Sequence, residues 1–478
     1  MVVKKSDESL AHIVQDTTID EFAASALKEY GEHTIFHRAI VCVSDGLLPV
    51  HRSLLWTAKI KGISSSGPTK KSAAIVGTVL GEFHPHGDES IYKSLVRLVK
   101  MKPALFDGQG GFGSAVTGDP PSAMRYTEVR LSKFSEKVVL NPDYLVPEVI
   151  PMIDNYDGTT KEPLVLPSLL PGFLVFGSEG IGVGARSKLP TFEVASVIDV
   201  LSDIIENKRI DPDRISVRLR QSASEGGNFL SGRSEVKDWL ISGSATFRYE
   251  CDHEFDAKKK VLSIKSGAHR WSWDVFQNAV SALPDIKAID EISDPNSTVF
   301  QARISFGRNV GDGTIERAIQ LLRSSASYNS NVITRQLVDV GGMSEVSSKF
   351  IAATPLKVIS YWLKWRADLE RRSLRHKLDG LSKTRRRQAL ILLVIKNLKE
   401  VLRAIRNSDA KRALIELLDI SEEEAGIILD FRIRQMTRTS ETETLAEISR
   451  IDNLAKSYMR SYKDPYGTIL GDLPALNV

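Results

Sequence analysis

Only two of the 478 residues are cysteine, Cys42 and Cys251. That excludes a disulfide-stapled scaffold and a four-cysteine zinc module, and it suits a reducing compartment. Aromatic residues make up 7% of the chain, and 64 Lys/Arg stand against 60 Asp/Glu, a formal net charge of +4. So even a balance names no partner, nucleic acid included. The longest purely apolar run, Ala389–Ile395, is far shorter than the ~20 residues of a membrane span. The N-terminal MVVKKSDESL has no apolar core of signal-peptide length, which points to a cytoplasmic chain with no membrane partner. What is there is ordinary: 42% hydrophobic and 26% charged residues, in a length that suggests roughly three domains.

The average charge hides a gradient. From Ile351 to Leu414 there are 17 Lys/Arg against 5 Asp/Glu, a balance of +12. From Ile415 to Val478 the counts are 7 and 12, a balance of −5. Asymmetry of this kind describes surfaces better than the total does.

The first ~30 residues are polar, with one short helical pattern at Glu21–Tyr30, and read as an arm. Ala73, Val76, Leu80 and Phe83 form one apolar stripe, and Ile91, Leu95 and Leu98 another, with HPHGD between them. Helix, tight glycine-containing turn, helix is the outline of a helix-turn-helix. Residues 106–122 are too glycine-rich for anything but a loop. Phe192–Glu206 reads as an amphipathic helix. Strand-like alternation dominates from Ile215 to Phe306, in ATFRYECDHEF, KKVLSIK and TVFQARISF, with helices expected at Trp273–Ala282 and Thr314–Ser325. No proline interrupts the chain between Pro355 and Pro465, and apolar residues there keep 3–4 spacing. Long helices with a narrow apolar seam predict an antiparallel coiled-coil stem, with a short helical insertion at Asp419–Thr437.

Four segments carry chemistry. Arg125-Tyr126 follows the glycine-rich loop. A phenol titrates near ~10, so a nucleophilic tyrosine needs a neighbouring cation or metal, and Arg125 could bind a non-bridging phosphate oxygen. The bland alternative is a tyrosine whose hydroxyl caps a loop. His84 and His86 lie two residues apart at the turn, able to donate to phosphate, act as acid and base, or simply furnish a polar turn. Arg38, with His51 and Arg52 at the DGLLPVHR helix start, could gather phosphate oxygens or form a solvated helix entrance. In Gly180-Ile181-Gly182-Val183-Gly184, Ile181 could wedge between base pairs or pack a turn. Lys70 and Lys71 add a basic pair just before the first stripe.

In this order, RAI…DGLLPVHR, KSAAIVGTVLGEFHPHGD, FDGQGGFGS…AMRYTE, IPMIDNYDGTTKEP and GIGVGA strongly resemble the breakage-reunion subunit of type IIA DNA topoisomerases. That family comprises the A-type subunits of gyrase and topoisomerase IV and the phage equivalent. The resemblance is dense from Arg38 to Pro190 and looser beyond. It implies an α+β multidomain fold: an N-terminal arm (1–30), a winged-helix DNA-cleavage domain (31–190), a mixed α/β tower (191–345), and a long antiparallel coiled coil with a small globular C-gate (346–478).

By the same resemblance, Tyr126 is the nucleophile that joins a DNA 5′-phosphate, with Arg125, Arg38 and His84 in the catalytic set. His51, Arg52, His86, Lys70 and Lys71 hold neighbouring phosphates, and Ile181 bends the duplex. The implied activity is a transient double-strand break through which a second duplex passes. The chain is then half of an enzyme, a homodimer within a heterotetramer. Mg²⁺ and ATP belong to a B-type partner, because Glu-Gly-Asp-Ser and glycine-rich ATP motifs are lacking here, and Asp211-Pro212-Asp213 has the family's Asp-x-Asp spacing without its context. No DNA-wrapping domain follows the stem, which favours relaxation or decatenation over negative supercoiling. Leu48 and Ser53 replace two of the family's basic residues, and Glu89 and Lys93 replace the pair that anchors quinolones. These departures lean toward a phage-encoded protein with weak quinolone sensitivity. Two other classes remain open: an architectural DNA-binding protein on the same scaffold, and a metal-dependent phosphodiesterase built on His84 and His86.

Overall fold

The structure is a computed structural model that describes residues 18–34, 40–182, 185–222, 226–293, 299–329, 332–339, 346–431 and 438–478. Arg38 therefore lies outside the described residues. The N-terminal arm contains α1 (Ile19–Thr34), which outruns the expected Glu21–Tyr30 at both ends. Its start is closed by a capping box: Thr18 Oγ1 accepts from Glu21 N at 3.2 Å, and Thr18 N donates to Glu21 Oε2 at 3.1 Å.

Three helices and a small sheet form the next unit. α2 (Pro49–Ile60) opens on a proline at its first turn, where a missing N–H costs nothing. β1 (Lys70–Lys71) leads into α3 (Ser72–Glu82) and α4 (Asp88–Lys100). The second predicted stripe, Ile91, Leu95 and Leu98, is buried, but of the first only Val76 and Phe83 are: α3 turns Ile75, Val76 and Val79 inward and leaves Leu80 exposed. β2 (Phe106–Gln109) and β3 (Glu128–Leu131) complete an antiparallel sheet of order β1-β3-β2, so the segment 106–122, expected to be all loop, opens as a strand held by its register with β3. The hairpin β4 (Met152–Asp154) and β5 (Lys161–Pro163) follows, then the short α5 (Gly172–Val175) and a second hairpin, β6 (Ser178–Gly182) and β7 (Ala185–Leu189). Gly46 sits at φ +68° with its backbone against α5, where a Cβ would fall 2.2 Å from the Gly172 carbonyl carbon. No other residue fits there, so the Asp45-Gly46 turn is pinned beneath α2.

α6 (Val194–Asn207) and α7 (Pro212–Arg218) precede a mixed region. β8 (Asn228–Phe229), α8 (Arg233–Ser242) and β9 (Ser244–Glu250) come first, then β10 (Asp252–Asp256), β11 (Val261–Ser266), α9 (Trp273–Ser281), β12 (Ile286–Glu291) and β13 (Ala302–Phe306). α10 (Asp312–Gln320) and β14 (Arg323–Asn329) close it. The sheets have orders β14-β9-β8 and β10-β11-β13-β12. Two expectations fail in detail. The predicted helix Thr314–Ser325 ends at Gln320, and Arg323–Ser325 pair with β9 as strand. ATFRYECDHEF is two strands in different sheets, divided at the buried Cys251.

After the hairpin β15 (Val332–Asp339) and β16 (Val346–Ala353), α11 (Pro355–Lys396) runs 42 residues, about 63 Å at 1.5 Å per residue. It breaks at Asn397, whose side-chain amide donates to Leu393 O at 2.9 Å, so the apolar run predicted to continue is carried on by a separate α12 (Leu398–Ala404). α13 (Ala410–Leu418) and α14 (Glu422–Leu429) pack with the end of α11 in a second, independent core around Leu390, Val394, Leu414 and Ile428. α15 (Arg438–Lys463) returns along α11, and α16 (Pro465–Asp472) ends against α6 and the root of α11. Arg375 reaches Tyr462 Oη at 3.0 Å and Arg385 reaches Asp452 Oδ1 at 2.6 Å, so the pair is antiparallel. Part of the +12 segment is thus neutralised from the acidic segment, by Arg385–Asp452, Arg386–Glu424 and Lys411–Glu422.

The root of α11 is joined to the unit of residues 40–189, the head, by a buried polar cluster. Tyr144 Oη donates to Glu370 Oε2 at 2.7 Å, and Arg366 Nη1 donates to the same oxygen at 2.8 Å. Among the described residues no helix is long and apolar enough to cross a membrane.

Candidate active site

Tyr126 closes a turn at residues 124–126, between the glycine-rich loop and β3. Its own N–H donates to Ala123 O at 2.8 Å. The carbonyls on either side point the other way. Thr127 O accepts from Ser72 N at 2.9 Å, and Met124 O accepts from Ala73 N at 3.2 Å. The first N–H groups of a helix have no partner within it, and Lys71 supplies no side-chain cap to α3. The tyrosine turn is therefore the cap of α3. Gly110, at φ +104°, lets the loop pass close by, since a Cβ there would lie 3.0 Å from Tyr126 O.

The side chain that this frame holds is 64% exposed. The Arg125 guanidinium sits 4.6 Å from the Tyr126 ring centroid, in cation–π contact. An exposed phenol with a guanidinium at its face presents a nucleophile and an anion clamp to a polyanion arriving from solvent. Lys70 and Lys71 lie on the adjacent strand, in register with Val129 and Glu128. Both are exposed. Lys71 Nζ pairs with Glu128 Oε1 at 2.8 Å, and Lys71 with Thr69 holds that carboxyl below its ordinary range.

His84 and His86 occupy the turn between α3 and α4, their rings stacked 4.2 Å apart at 16°. They stand at the C-terminal end of α3, and Tyr126 caps its N-terminal end. The 11 residues of α3 make about 16 Å of helix, so one protomer does not bring the histidines to the tyrosine. Ile181 lies on β6, paired with Arg186 and 71% exposed. On the same strand Glu179 pairs with Arg270 at 2.7 Å, tying the hairpin to the segment before α9. Glu89 and Lys93 form an exposed i,i+4 ion pair of 2.8 Å on α4.

His51 and Arg52, expected at an exposed helix entrance, are instead buried. Arg52 Nε donates to Asp45 Oδ2 at 2.7 Å, and the same carboxylate oxygen accepts Leu166 N at 3.0 Å. The guanidinium is thereby committed to the pinned Asp45-Gly46 turn. Burial, with the nearby charges of Arg97 and Arg52, lowers the His51 pKa to about 3. At neutral pH this ring is an uncharged donor and acceptor, not a cation. Arg97 on α4 was not singled out by sequence. It is half-buried beside His51, its pKa lowered by burial and opposed by Glu179. The available signal was an arginine set between Val96 and Leu98, both buried on the apolar face of α4. Among the described residues no group of three or more His, Cys, Asp or Glu is placed to hold a metal ion.

The family model for the A-type chain of DNA gyrase/topoisomerase IV matches residues 38–467. The DNA gyrase A-type chain of Helicobacter pylori strain J99 is 30% identical over 451 residues, covering 89% of this chain and 52% of the relative. That of Thermotoga maritima is 30% identical over 442 residues, covering 87% and 52%. The corresponding A-type chain of DNA topoisomerase 4 from Staphylococcus aureus is 27% identical over 475 residues, covering 96% and 58%. The chain spans about half the length of these curated relatives. With its matched region running from the residues before α2 into α16, the chain belongs to the family of DNA gyrase/topoisomerase IV A-type subunits.

Proposed function

We propose that this chain is the DNA-cleaving and religating subunit of a type II DNA topoisomerase. The observation that carries the reading is Tyr126: exposed, faced by Arg125, and fixed on a turn that caps α3. In the proposed step the phenol of Tyr126 gives up its proton to water and its oxygen attacks the phosphorus of a DNA phosphodiester. The P–O3′ bond breaks, the 3′-oxygen leaves as a hydroxyl by taking a proton, and the 5′-phosphate stays on the tyrosine. The reverse attack by the 3′-hydroxyl reseals the strand and frees the phenol. Arg125 neutralises the charge that builds on the non-bridging oxygens. The phosphotyrosyl ester conserves the energy of the broken bond, so resealing consumes nothing.

Helices α2–α4 with the sheet β1-β3-β2 support a winged-helix cleavage domain within 31–190, the sheets of 191–345 a tower, and α11 with α15 a stem ending in a small gate. Ile181, exposed at its hairpin, acts as the wedge that opens a base step. We place the Mg²⁺ and ATP sites on a B-type partner, a reading supported by the match to the A-type family.

The separation of His84 and His86 from Tyr126 supports a homodimer in which the histidines of one copy serve the tyrosine of the other. A mixed dimer of Tyr126→Phe and His84→Ala chains then retains one intact site and nicks one strand at the wild-type rate. If both functions sit in one chain, that dimer has no intact site and nicking is slow. The assignment itself is tested by Tyr126→Phe in the assembled enzyme with Mg²⁺. It is expected to bind DNA and form no covalent complex; a covalent complex in that variant refutes the role of Tyr126.

A further inference from the structure

We propose that Tyr92 is a positioning residue for the nucleophile, acting with Thr127 and Ser72. The inference rests on the reading of Tyr126 as that nucleophile. Tyr92 lies on α4 beside the buried Ile91, and its hydroxyl reaches the base of the tyrosine loop. Tyr92 Oη donates to Ser122 O at 2.6 Å and shares a hydrogen bond of 2.9 Å with Thr127 Oγ1. Thr127 Oγ1 lies 2.8 Å from Ser72 Oγ, at the first residue of α3. One phenol oxygen thus ties both ends of the segment that carries Arg125 and Tyr126, four residues before the nucleophile and one after it.

The three side chains are buried while the residues they hold are exposed. That contrast is what assigns the role. Segment 123–126 buries little of its own and keeps its position through the bonds at its two ends. The backbone bonds to Ser72 N and Ala73 N fix it to α3. The Tyr92 hydroxyl fixes it to α4, the helix that follows the histidine turn. Two anchors on two helices set an orientation; one anchor leaves a pivot. A buried hydrogen-bonded network of this kind fixes geometry more than it adds stability, and misplacing a reacting group by about 1 Å costs roughly 100-fold in rate.

The test is single-turnover cleavage of a DNA duplex by the assembled enzyme with Mg²⁺, reading the rate constant and the amplitude separately. Tyr92→Phe keeps the ring and removes the hydroxyl. Thr127→Val removes the second hydroxyl at constant shape, and Thr127→Ser restores it. The expected result is a rate constant about 10- to 100-fold lower at full amplitude for Tyr92→Phe and Thr127→Val, with Thr127→Ser cleaving at the wild-type rate and DNA affinity unchanged in all three. A loss of folded protein lowers amplitude and leaves the rate constant alone. Tyr92→Phe with a wild-type rate constant, whatever its amplitude, overturns the assignment. A covalent complex in Tyr126→Phe overturns instead the reading beneath it.

Discussion

Acid is expected to destabilise this protein through His51, by an amount that follows from its burial. The folded state holds the ring pKa at about 3, against 6.5 when unfolded, because burial and the charges of Arg97 and Arg52 oppose protonation. A depressed histidine pKa means that below pH 6.5 the unfolded chain takes a proton the folded one refuses. Stability is then full above pH 6.5 and falls by about 1.4 kcal/mol per pH unit until the pH approaches 3. Between pH 7 and pH 5 the loss is about 2 kcal/mol. Glu162 opposes it. Burial raises its pKa to about 7 against a weaker pull from Arg52, so its folded form keeps a proton that the unfolded form loses above pH 4.5. That contribution grows as pH falls, by about 1 kcal/mol after allowing for its partial exposure. The two partly cancel in the wild type, and Glu162→Gln uncovers the histidine. Calorimetry of Glu162→Gln is expected to show the midpoint of the transition that melts the head falling by about 4–8 °C from pH 7 to pH 5. The double variant with His51→Gln is expected to lose that pH-dependent fall. Equal pH dependence in the two proteins means instead that His51 is charged within the fold at pH 5.

Glu370→Gln leaves Arg366, 1% exposed, without its carboxylate and is expected to cost about 3–5 kcal/mol, read as a fall in thermal midpoint. At the surface, Lys71→Ala breaks an exposed pair and is expected to leave the melting temperature essentially unchanged. Lys70→Ala is expected to lower the slope of log affinity for duplex DNA against log salt by about one unit, without sequence preference. Ile181→Ala is expected to leave the melting temperature unchanged, because the side chain is exposed, and to reduce the bend of bound DNA seen by end-to-end fluorescence transfer.

The helix pair α3–α4 was legible because its apolar spacing and the HPHGD turn agree with each other, and α11 because no proline interrupts it. The reasons for the misses are equally local. Arg-Ser-Ser-Ala-Ser-Tyr-Asn carries too little apolar alternation to read as strand, yet it is β14, held by its register with β9. Asn397 looks like any polar helix residue until its amide turns back onto Leu393 O. The burial of His51 and Arg52 was hidden, since a His-Arg pair at a helix start has the same letters whether it meets phosphate or Asp45. Asp45, seven residues upstream of Arg52 and next to a glycine with positive φ, was the signal that could have shown it. The Tyr126 turn was legible as a motif, but its docking on α3 and α4 was not, because its partners are Ser72, Tyr92 and backbone groups far apart in sequence.

Tyr126 is the residue proposed to carry the DNA. Denaturant trapping of the cleavage complex, nuclease trimming and mass analysis of the proteolytic peptides test it directly. The expected product is a nucleotide joined through its 5′-phosphate to the peptide that contains Arg125-Tyr126, with a free 3′-hydroxyl on the other end of the cut strand. A nucleotide on any other residue, or a 3′-phosphate linkage, contradicts it.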